Sequence, residues 1–228
     1  MKNFTLFKRQ MMFVVFMLLG CMSIHAADDG LITEQITIKL DKAGTLPDKI
    51  DDKKKRLITN LKIIGEINGT DVRLIRDMAG LRYLAILDLS EVRIVSGGDY
   101  YYSGGLKVYT ENDKFGNYIF YNLRKLTSLI IPKSITSIGD CAFKDCTSLT
   151  NLDLPSSVST IGDNAFSSCK SLTNLVIPSR VTSIGASAFG ACAGLTNLTV
   201  PAGVDSIGKS TFSGCTSLTN LDLPSSVS

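Results

Sequence analysis

The chain has 228 residues, 44% of them hydrophobic and 20% charged, with 19 Gly, six Pro, six Cys, no Trp and one His, a balance that excludes a disordered, collagenous or polytopic membrane protein. The formal charge of +3 is local: Lys2, Lys8 and Arg9 fall in the first 27 residues, which hold no Asp or Glu, and the remainder sets 21 basic against 21 acidic residues. Bulk charge therefore draws the remainder neither to nucleic acid nor to an anionic membrane surface.

Residues 1–26 open on a cationic stretch, continue through an apolar run from Met11 to Leu19, and close on small residues at Ala26 and Ala27, the layout of a secretory signal peptide. The apolar run falls short of the roughly 20 residues that a membrane span requires. Two processing sites compete. Cleavage after Ala26 releases a free protein; cleavage before Cys21, where Leu18-Leu19-Gly20-Cys21 resembles a bacterial lipobox, leaves Cys21 lipidated. Both place the mature protein outside the cytoplasm, and only the lipid would tie it to a membrane. Export also permits disulfides among Cys141, Cys146, Cys169, Cys192 and Cys215, an odd set.

Residues 27–115 are the less regular half. Ile36 to Leu40 alternates as a strand, and Leu46 to Arg56 reads as a short solvated helix. Asn60 to Ile63 and Leu84 to Leu89 read as strands, and between them Thr70 can cap a helix from Asp71 to Ala79 whose Val72, Ile75 and Met78 share a face. Between Val95 and Phe115 lies an insertion in which glycines flank Tyr100, Tyr101 and Tyr102, with Tyr109 close behind. Tyrosine offers contact area at little rotamer entropy, so this loop could hold a protein or carbohydrate. The plainer reading is a hairpin whose tyrosines pack back over the neighbouring structure.

Residues 116–228 repeat with a period of 23. The units are LTSLIIPKSITSIGDCAFKDCTS from Leu126, LTNLDLPSSVSTIGDNAFSSCKS from Leu149, LTNLVIPSRVTSIGASAFGACAG from Leu172, LTNLTVPAGVDSIGKSTFSGCTS from Leu195, and LTNLDLPSSVS from Leu218, where the last unit is incomplete. Gly116, Phe120 and Leu123 fit one unit earlier. Leu152 and Leu154 alternate with polar neighbours as a one-sided strand, Pro155 ends that strand, Gly162 permits a turn, and a short helical piece is expected around Asn164 to Phe166. One such unit cannot bury enough to fix its own backbone, so it must stack on its neighbours. Cys146, Cys169, Cys192 and Cys215 then form an inward ladder. Leu123 occupies their slot in the first unit, which favours buried free thiols over disulfides or metal. Cys141 lies off that ladder and is the thiol expected to be exposed.

The pattern L-x-x-L-x-L/I/V-P-x-x-V/I-x-x-I-G-x-x-A/T-F-x-x-C closely resembles the BspA-like leucine-rich repeats of bacterial surface and secreted proteins. The resemblance implies an α/β repeat solenoid, mainly parallel β, with a parallel sheet along one face and short helical or irregular pieces opposite. Asn60-Leu61-Lys62-Ile63 and Leu84 to Leu89 echo the repeat, so residues 27–115 read as an irregular N-terminal cap with two degenerate coils; a separate domain is the alternative. The resemblance also implies adhesion, with a partner such as a host matrix protein or another cell surface.

Little chemistry is available. His25, the only histidine, lies in the export segment, so no Ser-His or Cys-His pair can form. No phosphate loop or dinucleotide fingerprint is present, and no cofactor is expected. The expected function is non-catalytic binding by an exported protein. Its broadest surface is the sheet face, where Ser128 and Ile130, Asn151 and Asp153, Asn174 and Val176, Asn197 and Thr199, and Asn220 and Asp222 form parallel rows of mostly small polar groups. The rival reading is a structural spacer or truncated repeat remnant without a ligand of its own, and the open strand edge at Leu221 to Leu223 could support end-to-end self-association.

Overall fold

The structure, a computed structural model, describes residues 30–81 and 83–225. The expected signal peptide and the candidate lipidation residue Cys21 lie outside the described residues. The chain forms β1 (Ile36–Lys39), α1 (Leu46–Lys49), a 3-10 turn (Lys54–Arg56), β2 (Asn60–Ile67), α2 (Gly69–Gly80) and β3 (Ile86–Ile94), then β4 (Gly97–Ser103) and β5 (Lys107–Thr110). The repeat array adds β6 (Lys114–Phe115), β7 (Ser128–Ile130), β8 (Ser137–Ile138), β9 (Thr160–Ile161), β10 (Ser183–Ile184), β11 (Asn197–Thr199), β12 (Ser206–Ile207) and β13 (Asn220–Asp222).

Two parallel ladders run through the array. The first pairs β1, β2, β3 and β7 in that order, passes through single bridges Ser128 to Asn151, Asn151 to Asn174 and Asn174 to Asn197, and ends on β11 with β13. The strand expected at Leu152 and Leu154 is thus reduced to one bridge at Asn151. The second ladder, β6-β8-β9-β10-β12, pairs Ser137, Thr160, Ser183 and Ser206 in register and was not expected. Alternation around Ile138, Ile161 and Ile184, each buried beside a less buried Ser or Thr, was the signal available for it.

The expected helical piece at Asn164 to Phe166 is not a helix. Asn164 has φ 54°, as do its equivalents within a few degrees, Cys141 at 54°, Ser187 at 52° and Ser210 at 57°. Four residues after Tyr118, at 61°, and after Cys141, Asn164 and Ser187, the residues Asn122, Asp145, Ser168 and Ala191 are left-handed too. Only Gly214, at the fifth such position, has the residue type that adopts this backbone freely. Inter-coil hydrogen bonds offset the strain: Asn164 N–H donates to the Ala186 carbonyl at 2.8 Å, Phe166 to Ala188 at 2.8 Å and Ser168 to Gly190 at 2.7 Å. A short helix there would have left its first-turn donors without a partner of its own.

Inside, each coil stacks its buried side chains on the last. Phe143, Phe166 and Phe189 lie face to face at 5.2 and 5.5 Å, and Leu149, Leu172 and Leu195 are fully buried. The Cys146 thiol donates to the Phe120 carbonyl at 3.0 Å, Cys169 to Phe143 at 3.2 Å and Cys192 to Phe166 at 3.0 Å. The cysteine slot is therefore apolar and carries a specific donor, a role that Leu123 cannot share.

The glycines of the Ile-Gly pair serve a different purpose from the one expected. Gly162 has no left-handed backbone; a Cβ there would meet Asp140 Oδ1 at 2.5 Å and Asp140 N at 2.7 Å. Gly139 faces Asn117 in the same way. The approach lets each Asx carboxyl or amide oxygen accept from the next coil: Asn117 Oδ1 from Asp140 N–H at 2.8 Å, Asp140 Oδ1 from Asp163 N–H at 2.9 Å, and Asp163 Oδ1 from Ala186 N–H at 2.7 Å.

In the N-terminal half, α2 is capped two residues earlier than expected, by Asn68, whose side chain accepts from Thr70 N–H at 3.0 Å, in a capping box with Asp71. Val72, Ile75 and Met78 are buried together as expected. The buried Asp71 carboxylate also accepts from Gly44 N–H at 2.5 Å and Leu46 N–H at 2.8 Å, fastening α1 to α2. The stretch Leu46 to Arg56 breaks in two, and Leu46, far from solvated, is fully buried.

Gly162→Ala forces apart two backbones and should cost about 2 kcal/mol or more. Gly80→Ala, at the end of α2 with open space around it, should stay within about 0.5 kcal/mol of wild type. Denaturant titration of both variants checks the contrast.

Candidate functional site

The first ladder presents two rows of side chains on its outer face. One holds Asn60, Ile86, Ser128, Asn151, Asn174, Asn197 and Asn220; the other holds Lys62, Asp88, Ile130, Thr199 and Asp222, with Asp153 and Val176 at the intervening coils. The predicted residues from Asn151 to Asp222 are all exposed, and Val176 is 79% exposed. Asn220 Nδ2 donates to Asn197 Oδ1 at 2.8 Å, so neighbouring asparagines partly satisfy one another. A cleft of about 300 Å³ opens between Asn174 to Ile177 and Asn197 to Pro201. Toward the N-terminus the same row turns charged. Lys62 reaches Glu91 at 2.6 Å and Asp88 at 3.6 Å; the Glu91 hydrogen bond raises the Lys62 pKa, while Asp88, although burial opposes it, is held low by Ser90 and Lys62.

The tyrosine insertion is a hairpin of β4 against β5, and its tyrosines do not act as one patch. Tyr101 is buried, donates to the Asn117 carbonyl at 2.9 Å and has its pKa raised by burial, so it belongs to the core. Tyr102 stacks on Tyr118 at 4.5 Å with the Arg76 guanidinium 5.3 Å over its ring. Tyr100 stays accessible, with Arg73 4.9 Å and Lys107 5.0 Å from its ring centroid and Tyr109 edge-on at 6.5 Å. Tyr109 is 49% exposed. Arg73 and Arg76, spaced one turn apart on α2, were missed in the sequence. Their signal was only a pair of cations on the polar side of an amphipathic helix, which usually means solvated charge.

A longer groove of about 610 Å³ follows the second ladder past Lys114, Ser137, Asp140, Thr160 and Ser183. Its Asn117, Asp140 and Asp163 side chains are engaged in the inter-coil hydrogen bonds. Among the described residues no cluster of three or more His, Cys, Asp or Glu could hold a metal ion, and no helix is long and apolar enough to cross a membrane.

The five cysteines among the described residues are free. Burial pushes the Cys146 and Cys192 thiols up to about 12 and Cys169 well above its ordinary value. Cys141, expected to be exposed, is instead half-buried, and burial raises its pKa as well. Cys215, at the end of the ladder, is also half-buried.

Residues 113–228 match the BspA type leucine rich repeat region in six copies. Among solved structures, the chain is similar to a leucine-rich repeat protein from Bacteroides ovatus, at 34% identity and a TM-score of 0.48 over 54% of this chain and 32% of that one. It is similar to the leucine rich repeat protein of T. pallidum at 28% identity and a TM-score of 0.47, over 54% of this chain and 67% of that one. A leucine rich cell surface protein from Faecalibacterium prausnitzii matches at 18% identity and a TM-score of 0.48, over 76% of this chain and 65% of that one. The chain thus spans about a third of the length of the Bacteroides ovatus protein. No curated protein sequence matches it.

At pH 8 a thiol with a pKa of about 12 is ionised to roughly one part in ten thousand, and the thiolate is the nucleophile. Iodoacetamide should therefore label Cys141 and Cys215 in the native protein and reach Cys146, Cys169 and Cys192 only in denaturant. Peptide mass spectrometry reads the order, and native labelling of the three at the Cys141 rate would contradict the buried ladder.

Proposed function

The chain belongs to the BspA-type leucine-rich repeat family, and on that premise we propose that it is an exported, non-catalytic protein that binds a protein partner or another cell surface. The observation that carries this reading is the first ladder: from Asn151 to Asp222 it holds an exposed row of small polar side chains along successive coils, and the coil interior does not need them. Unlike the Asx oxygens of the second ladder, most of these groups leave hydrogen-bonding capacity for a partner. Residues with so little bulk make weak individual contacts, since Trp, Tyr and Arg dominate binding hot spots, and repetition along the coils would supply the avidity.

In this reading the unit is the 23-residue coil, and residues 27–115 close one end of the stack. The export signal in residues 1–26 delivers the protein to the cell exterior, freely secreted after cleavage at Ala26 or anchored through Cys21. Palmitate incorporation that disappears in Cys21→Ala distinguishes the anchored form.

The binding test uses a panel of purified extracellular matrix proteins. Wild type should be retained on at least one of them, and Asn174→Arg combined with Thr199→Arg should weaken retention by about tenfold or more at unchanged melting temperature. Equal retention of both forms would remove the sheet face from the account, and no retention of either would favour the structural spacer.

A further inference from the structure

α2 and the hairpin enclose a second candidate site with a different chemistry from the sheet face. A cleft of about 420 Å³ lies between them, floored by Tyr100, Tyr102 and Tyr121 and walled by Arg73 and Arg76. Lys107 approaches the Tyr100 ring from β5. Among the described residues none of these three cations has a carboxylate within ion-pair distance, whereas Lys54, Lys55, Lys62, Arg93 and Lys114 all do. The single acid lining the cleft, Asp77, is exposed and likewise outside any ion pair among the described residues. The cleft therefore keeps a net positive charge.

The geometry points to a docking site for an acidic, extended segment of a protein partner, with Arg73 and Lys107 as its direct carboxylate contacts. Both cations sit on one ring, so their charges lie within about 10 Å of each other. On an extended chain, residues i and i+2 project to the same side about 7 Å apart, so two acidic side chains in that relation can meet the two cations together. Arg76 forms a fixed back wall. Its Nη1 is committed to the Tyr118 carbonyl at 2.6 Å and the Ile119 carbonyl at 2.9 Å, which holds the guanidinium in place without neutralising it. Two of the floor rings are already engaged, Tyr102 by Tyr118 and Arg76 and Tyr100 by Arg73 and Lys107. What the cleft presents is positive charge without an acidic partner, backed by the fixed Arg76, which favours carboxylates over neutral sugar rings. The hairpin is held in place by Asp99 N–H on Thr70 Oγ1 at 3.0 Å and by the Tyr101 hydroxyl on the Asn117 carbonyl at 2.9 Å.

The proposal rests on the protein-binding reading only for the class of partner. The probe is a fluorescent octapeptide of alternating Glu and Ser, titrated against the full chain by anisotropy. Wild type should bind it saturably and more weakly as salt rises. Arg73→Gln with Lys107→Gln should weaken binding by about tenfold or more, and the sheet-face variant Asn174→Arg with Thr199→Arg should bind like wild type. As a check that does not depend on losing affinity alone, Arg73→Glu with Lys107→Glu should reject the Glu peptide and take up a Lys–Ser peptide instead. Absence of saturable binding by wild type, or affinity unchanged in the double Gln variant, would overturn the proposal. So would a uronate oligosaccharide that binds the cleft while the Glu peptide does not. Loss of peptide binding in the sheet-face variant alone would place the acidic segment on the first ladder and also overturn it.

Discussion

A methyl group on Gly162 would sit 2.5 Å from the Asp140 carboxylate oxygen and 2.7 Å from its amide nitrogen. The same steric limit recurs at Gly139 and Gly185, and through it each coil can settle onto the one before. Close approach at this corner lets the Asx side chain hydrogen-bond the next coil, keeps β8, β9 and β10 in register, and aligns everything downstream in the unit. An interior that stacks Phe on Phe and Cys on a Phe carbonyl tolerates little slippage, since a shift of one residue would move each apolar side chain to the wrong side.

The left-handed residues belong to the same constraint. Asn164 and Ser168 hold a backbone that costs on the order of 1 kcal/mol each, and they hold it because turning their N–H groups toward the next coil satisfies donors that a short helix would have wasted at its ends. Stability in such an array resides in the interface between units. At its N-terminal side, α2 and the hairpin replace repetition with individual fastenings, chief among them Asp71 and the Tyr101 hydroxyl. Those fastenings leave Arg73, Tyr100 and Lys107 at the surface, so the irregular half of the chain carries the charged aromatic site and the regular half carries the polar rows.

Much of this was legible from residue types. Rows at Asn174 and Asn197 follow from the period, and the burial of Cys169 follows from Leu123 standing in the same slot. The plainer reading, a hairpin whose tyrosines pack back, holds for Tyr101, while Tyr109 stays exposed and Tyr100 accessible. Other features left little trace. Ser187 and Ala191 adopt left-handed backbone because of a neighbouring coil, and their own preferences point elsewhere. The second ladder rests on two-residue strands, so its alternation at Ile138, Ile161 and Ile184 is a faint signal, confined to one polar and one buried residue per coil. Thr70 looked like the natural cap of α2, but Asn68 forms a reciprocal pair with Asp71, which a single-residue preference cannot display. Arg73 and Arg76 drew no notice because a site made by two cations and a distant hairpin exists only after folding.

The central claim is that contacts between coils, with no helix among the described residues 116–225, hold the array together. Amide hydrogen exchange tests it directly at Phe143, Asn164, Phe166 and Ser168, which lie in turns and donate to the next coil. The account predicts that these amides are protected as strongly as those of Gly162 and Gly185 on the second ladder, and that all are released in one cooperative step. Exchange of the turn amides at near free-peptide rates, with the ladder amides still protected, would contradict it.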